Sequence, residues 1–181
     1  MRFLASIALT LALVAAESVL PGLPTVPYTA TGGTLPASSL TKIVVDTAFA
    51  DARDESGQTL IPPTLRAFAE TFAQDLAAVL GLEVPVETGP AAEQGSVFLT
   101  VGDPDVFRDA AGRQTSEGYS FNVTVDGVLI TGASPLGAWW GTRTLLQQLI
   151  LGDGAVDLGY GTDSPGWGTR GMMVRYTYPS S

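Results

Sequence analysis

Three aspartates stand close together in the segment "VGDPDVFRD", where the residue types would allow acid-base chemistry. Asp103 and Asp105 flank Pro104, and Asp109 follows them. Paired carboxylates can transfer protons in hydrolysis, and carboxylate oxygens can bind calcium. The spacing fits no calcium-binding loop, and an Asp-Pro pair after a strand is typical of a turn. We therefore interpret Asp103 and Asp105 as turn residues.

A second acidic group, Asp51, Asp54 and Glu55, surrounds Arg53. Three acids in so short a stretch could form a site. A solvated loop with one local ion pair is the commoner outcome, and such a pair contributes little to stability. We favour the solvated loop.

The composition removes much of the remaining chemistry. The sequence has no histidine and no cysteine, and Lys42 is its single lysine. A Ser-His-Asp triad, a cysteine nucleophile, a disulfide and the usual zinc sites are therefore excluded. We predict no catalytic residue, no metal site and no cofactor.

Two adjacent tryptophans, Trp139 and Trp140, lie between Gly137 and Gly141. Neighbouring positions on a helix do not face the same direction. One ring is therefore expected in the core and the other against a neighbouring element. An exposed ring could stack on a sugar, but we favour core packing, with close helix approach at the glycines.

Arg170 precedes an apolar run that reads as the beginning of a buried strand. An arginine at that position needs a partner. Its planar guanidinium suits fixed acceptors, including sugar hydroxyls. A salt bridge and a ligand contact both remain open from the residues alone.

The elements that must position these residues are strands mixed with two amphipathic helices. Strands are predicted over 41–47, 82–88, 96–102 and 155–159, and a hairpin over 117–133 turns at Asp126-Gly127. One helix is predicted between Pro63 and Gly81, and a second begins after the N-cap Ser134 and ends before Gly152. This order predicts an α+β fold, a largely antiparallel sheet with two helices packed on one face.

The totals and the ends of the chain indicate a single exported domain. The length of 181 residues fits one domain, and the net charge of −9 makes nucleic acid an unfavourable partner. Residues 1–16 match a secretory signal peptide, and residues 17–40 are an extended leader rich in Pro, Gly, Ser and Thr. Asn122-Val123-Thr124 is a glycosylation sequon. We predict a secreted protein that has no membrane contact after signal cleavage.

The middle and end of the chain resemble the accessory domain of family 20 glycoside hydrolases, the β-N-acetylhexosaminidases. The resemblance rests on motifs in a fixed order: Glu117-Gly118-Tyr119, Ile130-Thr131-Gly132, Gly137 to Gly141, Thr144-Leu145 with Gln147, Asp163-Ser164-Pro165, and Arg170-Gly171. It covers about residues 40 to 174.

The resemblance implies that residues 41–160 are a non-catalytic N-terminal domain with a zincin-like α+β sandwich fold. Arg170 matches the family arginine that hydrogen-bonds hydroxyls of a terminal N-acetylhexosamine. In the family, the acetamido oxygen of the substrate attacks its own anomeric carbon, and an Asp-Glu pair on the barrel assists.

Agreement with the family stops at Val174, because Arg175 and Tyr178 stand where the family has Asp and Arg. Residues 161–181 are therefore expected to be a linker and an aborted first barrel strand. The catalytic barrel and its Asp-Glu pair are missing, so we expect a supporting domain that is inactive alone and meets carbohydrate only if a barrel is present. The alternatives are a stand-alone carbohydrate- or partner-binding module using Trp139, Trp140 or Trp167, and a fragment without function.

Overall fold

The computed structural model describes residues 28–57 and 60–166, and these form one seven-stranded sheet with two α-helices. The strands are β1 (Tyr28–Pro36), β2 (Lys42–Asp46), β3 (Val86–Gly89), β4 (Ser96–Val101), β5 (Tyr119–Thr124), β6 (Gly127–Gly132) and β7 (Ala155–Asp163). The helices are α1 (Leu65–Leu80) and α2 (Pro135–Leu151). The α+β class is confirmed.

The sheet is mixed, which corrects the expectation of a largely antiparallel one. The strand order is β1-β7-β5-β6-β4-β2-β3. Strands β1, β7, β5 and β6 pair antiparallel, whereas β6, β4, β2 and β3 pair parallel. Parallel pairing requires a long connection between strands. The α1 segment supplies one between β2 and β3, and the loop after β4 supplies another before the hairpin.

Both helices pack on the same face of the sheet, as the sequence predicted. Alternate residues of the central strands point to this face, and with α1 and α2 they form one continuous buried cluster. In register across the sheet, Val45, Leu99, Ile130 and Phe121 form one row of that cluster. The opposite face carries no helix among the described residues, and we call it the open face.

The helix boundaries follow from their capping residues. The Thr64 hydroxyl accepts the amide of Ala67 at the start of α1, and Gly81 ends this helix in the left-handed region at φ 66°. Glycine is the residue that adopts this conformation without strain. The Ser134 hydroxyl accepts the amide of Leu136, and Pro135 occupies the first turn of α2, where no amide is needed.

Strand β1 lies inside the segment that the sequence indicated as an extended leader. It pairs antiparallel with β7, from Tyr28 opposite Gly161 to Pro36 opposite Ala155. The register shifts at the Gly32-Gly33 pair, where both residues have φ near 90°. The folded body therefore begins by Tyr28, earlier than residue 41.

The β5–β6 hairpin is present with a small difference in its turn. Thr124 pairs with Gly127, so the two turn residues are Val125 and Asp126. The turn thus lies one residue earlier than the Asp126-Gly127 pair that the sequence indicated.

Candidate functional site

The aspartates near Pro104 form turns rather than an acid-base pair. The Asp103 carboxylate accepts the Asp105 amide at 2.9 Å in a short 3₁₀ turn. Asp109 is 8% exposed and accepts the amide of Ala111 and both the amide and Nε of Arg113. The Arg113 side chain holds the pKa of Asp109 below its usual range. Both carboxylates therefore stabilise local turns.

The second acidic group agrees with the solvated loop at Asp51, Arg53 and Glu55, which are exposed, but not at Asp54. Asp54 is buried and accepts the Ser56 hydroxyl at 2.6 Å, while Arg53 donates to the Pro62 carbonyl at 2.5 Å. Lys42 bridges Glu87 and Glu93 at the edge of the sheet. Within residues 28–57 and 60–166, no group of three or more acidic residues is arranged to hold a metal ion.

The tryptophans pack mainly against protein, as favoured from the sequence. The Trp139 ring stacks on Phe68 of α1 at 5.1 Å, and the Arg143 guanidinium lies 3.7 Å from the ring centroid. Trp140 is 38% exposed and donates its Nε1 hydrogen to Glu117 at 3.2 Å. Trp139 is thus occupied by protein contacts, whereas Trp140 keeps a partly open ring.

Two glycines of α2 allow the helix to touch the hairpin. A Cβ on Gly137 would lie 2.2 Å from the Gly118 carbonyl oxygen, and one on Gly141 would lie 2.4 Å from Cγ2 of Ile130. Both distances are below any ordinary contact, so a Cβ at either position would displace its neighbour. The close approach expected from the glycine spacing is confirmed.

A polar cluster lies where the hairpin, α2 and the end of β7 meet. The Tyr119 hydroxyl lies 2.5 Å from the Thr144 hydroxyl and donates to the Asp163 carboxylate at 3.2 Å. Burial raises the pKa of Tyr119 well above its ordinary value, so the phenol stays protonated. We call Glu117, Tyr119, Trp140, Thr144 and Asp163 the exit cluster, because the chain leaves the sheet here.

Two hydrogen bonds hold the first residues beyond β7. The second oxygen of Asp163 accepts the Ser164 amide at 2.9 Å. The Ala110 amide, in the turn held by Asp109, donates to the Gly166 carbonyl at 3.1 Å. The cluster contains no activated nucleophile, so its chemistry is that of positioning.

A family model settles the relationship of the chain. The model described as glycosyl hydrolase family 20, domain 2, matches residues 18–156, which is most of the sequence. The chain belongs to this family.

Solved structures share the fold of this family 20 domain. The beta-N-acetylhexosaminidase of Streptomyces coelicolor A3(2) aligns with a TM-score of 0.50 and 21% identity over 78% of this chain and 26% of that chain. The Bacteroides fragilis beta-N-acetylhexosaminidase aligns with a TM-score of 0.50 and 16% identity over 78% of this chain and 24% of that chain. A mutant Streptomyces plicatus beta-hexosaminidase in complex with GlcNAc aligns with a TM-score of 0.50 and 22% identity over 78% of this chain and 26% of that chain.

The chain therefore spans about a quarter of the length of the hexosaminidase structures that it matches. No curated protein matches it. Among the described residues, no helix is long and apolar enough to cross a membrane.

The structure unites most motifs of the resemblance but not all of them. The motifs around Tyr119, Gly137 and Asp163 meet at the exit cluster. Arg170 and Trp167 lie outside the described residues, as do the predicted signal peptide and the start of the barrel strand. Asn122 lies on β5 with its side chain exposed on the open face.

One contact between the helices has no signal in the sequence. Arg143 of α2 pairs with Asp75 of α1 at 2.5 Å, with side-chain exposures of 24% and 35%. The pair joins the two helices. The two residues belong to separate helices, so no local spacing rule identifies them.

Proposed function

We propose that this family 20 domain is the supporting, non-catalytic N-terminal domain of a secreted β-N-acetylhexosaminidase. The observation that carries the proposal is the exit cluster. Tyr119, Thr144 and Asp163 fix the point and direction at which the chain leaves the sheet. A supporting domain needs such a fixed exit, because the residues that follow must enter a catalytic barrel in one orientation.

The proposal gives Arg170 a role in substrate binding. Its guanidinium would donate hydrogen bonds to hydroxyls of a terminal N-acetylhexosamine once a barrel surrounds it. The domain would not hydrolyse glycosides by itself, because the Asp-Glu pair would belong to the barrel. No metal or cofactor is required by this scheme.

A hydrolysis assay tests the expectation that the domain is inactive without a barrel. The purified protein is expected to release no aryl alcohol from an aryl N-acetyl-β-glucosaminide above a buffer blank. Activity that follows the chain through two purification steps would contradict this part. A bacterial β-N-acetylhexosaminidase serves as the positive control.

Transcript sequencing beyond the codon for Val174 tests the supporting role. An in-frame continuation into a barrel-length reading frame with an Asp-Glu pair is the expected result. A message that ends after the codon for Ser181 would refute the proposal that the domain serves a barrel on its own chain.

The secretory part of the proposal rests on the N-terminal sequence. Residues 1–16 carry the charge, apolar run and small residues of a signal peptide. Amino-terminal sequencing of the protein recovered from culture medium is expected to begin at Glu17. Retention in the cell with Met1 intact would refute the signal.

A stand-alone carbohydrate-binding module is the second candidate, and the partly open ring of Trp140 favours it. A sugar stacking on this ring would quench tryptophan fluorescence, and Trp140→Phe would remove the effect. Under the supporting-domain proposal, millimolar chitooligosaccharide leaves the fluorescence unchanged. Saturable quenching that Trp140→Phe abolishes would favour the module.

A further inference from the structure

The open face of the sheet carries a row of side chains centred on Asn122. Asn122 of β5 pairs in register with Leu129 of β6 on one side and with Tyr160 of β7 on the other. Leu129 is 36% exposed and Tyr160 is 57% exposed. Facing pairs in a sheet point to the same side, so an amide stands between an aliphatic and an aromatic surface.

The two polar residues of the sequon are exposed on the same face as this row. Asn122 and Thr124 alternate with buried Val123, so both project from the open face and are exposed. Asparagine is depleted in strands because its side chain packs poorly there. Because Asn122 is exposed, its amide is accessible from solvent.

A groove of about 440 Å³ begins beside Asn122 on the same face. Thr124 and Leu129 line it together with polar residues of neighbouring segments, among them Glu93 and Gln94. Such a lining offers hydrogen-bond partners to hydroxyls and an apolar wall to the C–H face of a sugar. On the other side of Asn122, the exposed ring of Tyr160 offers a second apolar surface.

We propose that Asn122 carries an N-linked glycan whose first sugars lie on the open face, against Leu129 and Tyr160. The donor would be a lipid-linked oligosaccharide pyrophosphate of the secretory pathway. A bond forms between Asn122 Nδ2 and the sugar C1, the C1–O bond to the pyrophosphate breaks, the pyrophosphate keeps the electron pair and one amide proton is released. The inference rests on the secretory part of the proposed function.

Attachment is tested by expression in a eukaryotic secretory host. The full chain is produced once with its own first residues and once with residues 1–16 replaced by a host signal. Release of N-linked glycans should increase the gel mobility of the wild type and of Thr124→Ser, which keeps the sequon. It should not change the mobility of Asn122→Gln or Thr124→Ala.

The two forms separate failure of this inference from failure of the secretory proposal. If the protein is exported with the host signal but carries no removable glycan, the proposed glycosylation of Asn122 is wrong. Export and modification only behind the host signal uphold the glycan and refute the native signal.

The position of the sugars is tested by thermal unfolding. The glycosylated protein should melt about 2–4 °C above the same sequence made without glycan in a bacterial cytoplasm, the shift expected from one aromatic contact in a domain of this size. Tyr160→Ala should abolish the gap while keeping the glycan. Ile150→Ala, on the helical layer and 49% exposed, should preserve it. Equal melting of the two wild-type forms, or a gap that survives Tyr160→Ala, overturns the seating.

Discussion

Replacing Gly137 by alanine tests whether close contact between α2 and the hairpin holds the fold together. On an open helix, glycine to alanine stabilises by about 1 kcal/mol, because alanine has the higher helix propensity. At Gly137 the added Cβ would lie 2.2 Å from the backbone oxygen of Gly118. The oxygen cannot rotate away as a side chain would, so α2 must separate from the hairpin.

The expected magnitude follows from these opposing effects. Overpacking a tight interior typically costs about 1–3 kcal/mol, and a backbone overlap belongs at the upper end of that range. After subtraction of the propensity gain, Gly137→Ala should lower the free energy of unfolding by about 2 kcal/mol. In a domain of this size the melting temperature should fall by roughly 4–8 °C.

Gly141→Ala provides a graded comparison. Its Cβ would meet Cγ2 of Ile130 at 2.4 Å and the Tyr119 ring at 3.1 Å, which are side-chain atoms that can shift. The loss should therefore be smaller than for Gly137→Ala. Gly166→Ala is the matched control, since a Cβ there has no neighbour within 4 Å.

Circular dichroism at 222 nm during heating and urea titration measures all three variants. The expected order of stability is Gly166→Ala equal to wild type, then Gly141→Ala, then Gly137→Ala. A Gly137→Ala protein as stable as wild type, or more stable, would refute the reasoning. It would show that α2 has room beside the hairpin.

Three further perturbations probe single contacts. Arg143→Ala removes the ion pair with Asp75 and the contact with the Trp139 ring, and should lower the free energy of unfolding in urea by about 1–2 kcal/mol. If Arg143→Ala destabilises the wild type no more than it destabilises an Asp75→Asn variant, direct pairing is contradicted. The ionised Asp109 carboxylate, with its lowered pKa, stabilises the fold near neutral pH and loses this effect as the pH falls through that pKa. Asp109→Asn should therefore flatten the acid limb of a stability-versus-pH curve, and an unchanged limb would count against it. Burial raises the pKa of Tyr28 from 10.0 to about 12, so its protonated form stabilises below pH 10 and the effect is lost on the way to pH 12; Tyr28→Phe should flatten that alkaline limb, and a limb as steep as in the wild type would refute the assignment.

The sequence predicted the elements whose signals are local. Helix α1 has apolar residues at helical spacing between Thr64 and Gly81, and α2 begins at a serine cap followed by proline. Both capping signals act within one turn of the residues that they satisfy, so they can be read without knowledge of the fold. The same holds for β5, where Tyr119, Phe121 and Val123 alternate with polar neighbours.

The parts that the sequence did not predict depend on distant partners. Strand β1 has only Leu35 buried, so no alternating pattern marks it, and it is a strand because β7 offers an open edge. The parallel pairing of β2 with β4 depends on the helical connection between them. Its one local sign is that both strands carry consecutive buried apolar residues instead of an alternating pattern. The exit cluster shows the intermediate case, because its motifs were recognised while the bond between Tyr119 and Asp163 was not.

The antiparallel pairing of β1 with β7 has a mechanical consequence. Tyr28 and Gly161 are the first partners of this pair, so the two ends of the described body leave the sheet side by side. A pulling force between the preceding and following segments would load these strands from one end. The inter-strand hydrogen bonds would then break one after another, as in a zipper, rather than together. Tension on the chain would therefore peel β1 away first and leave the helices and parallel strands in place.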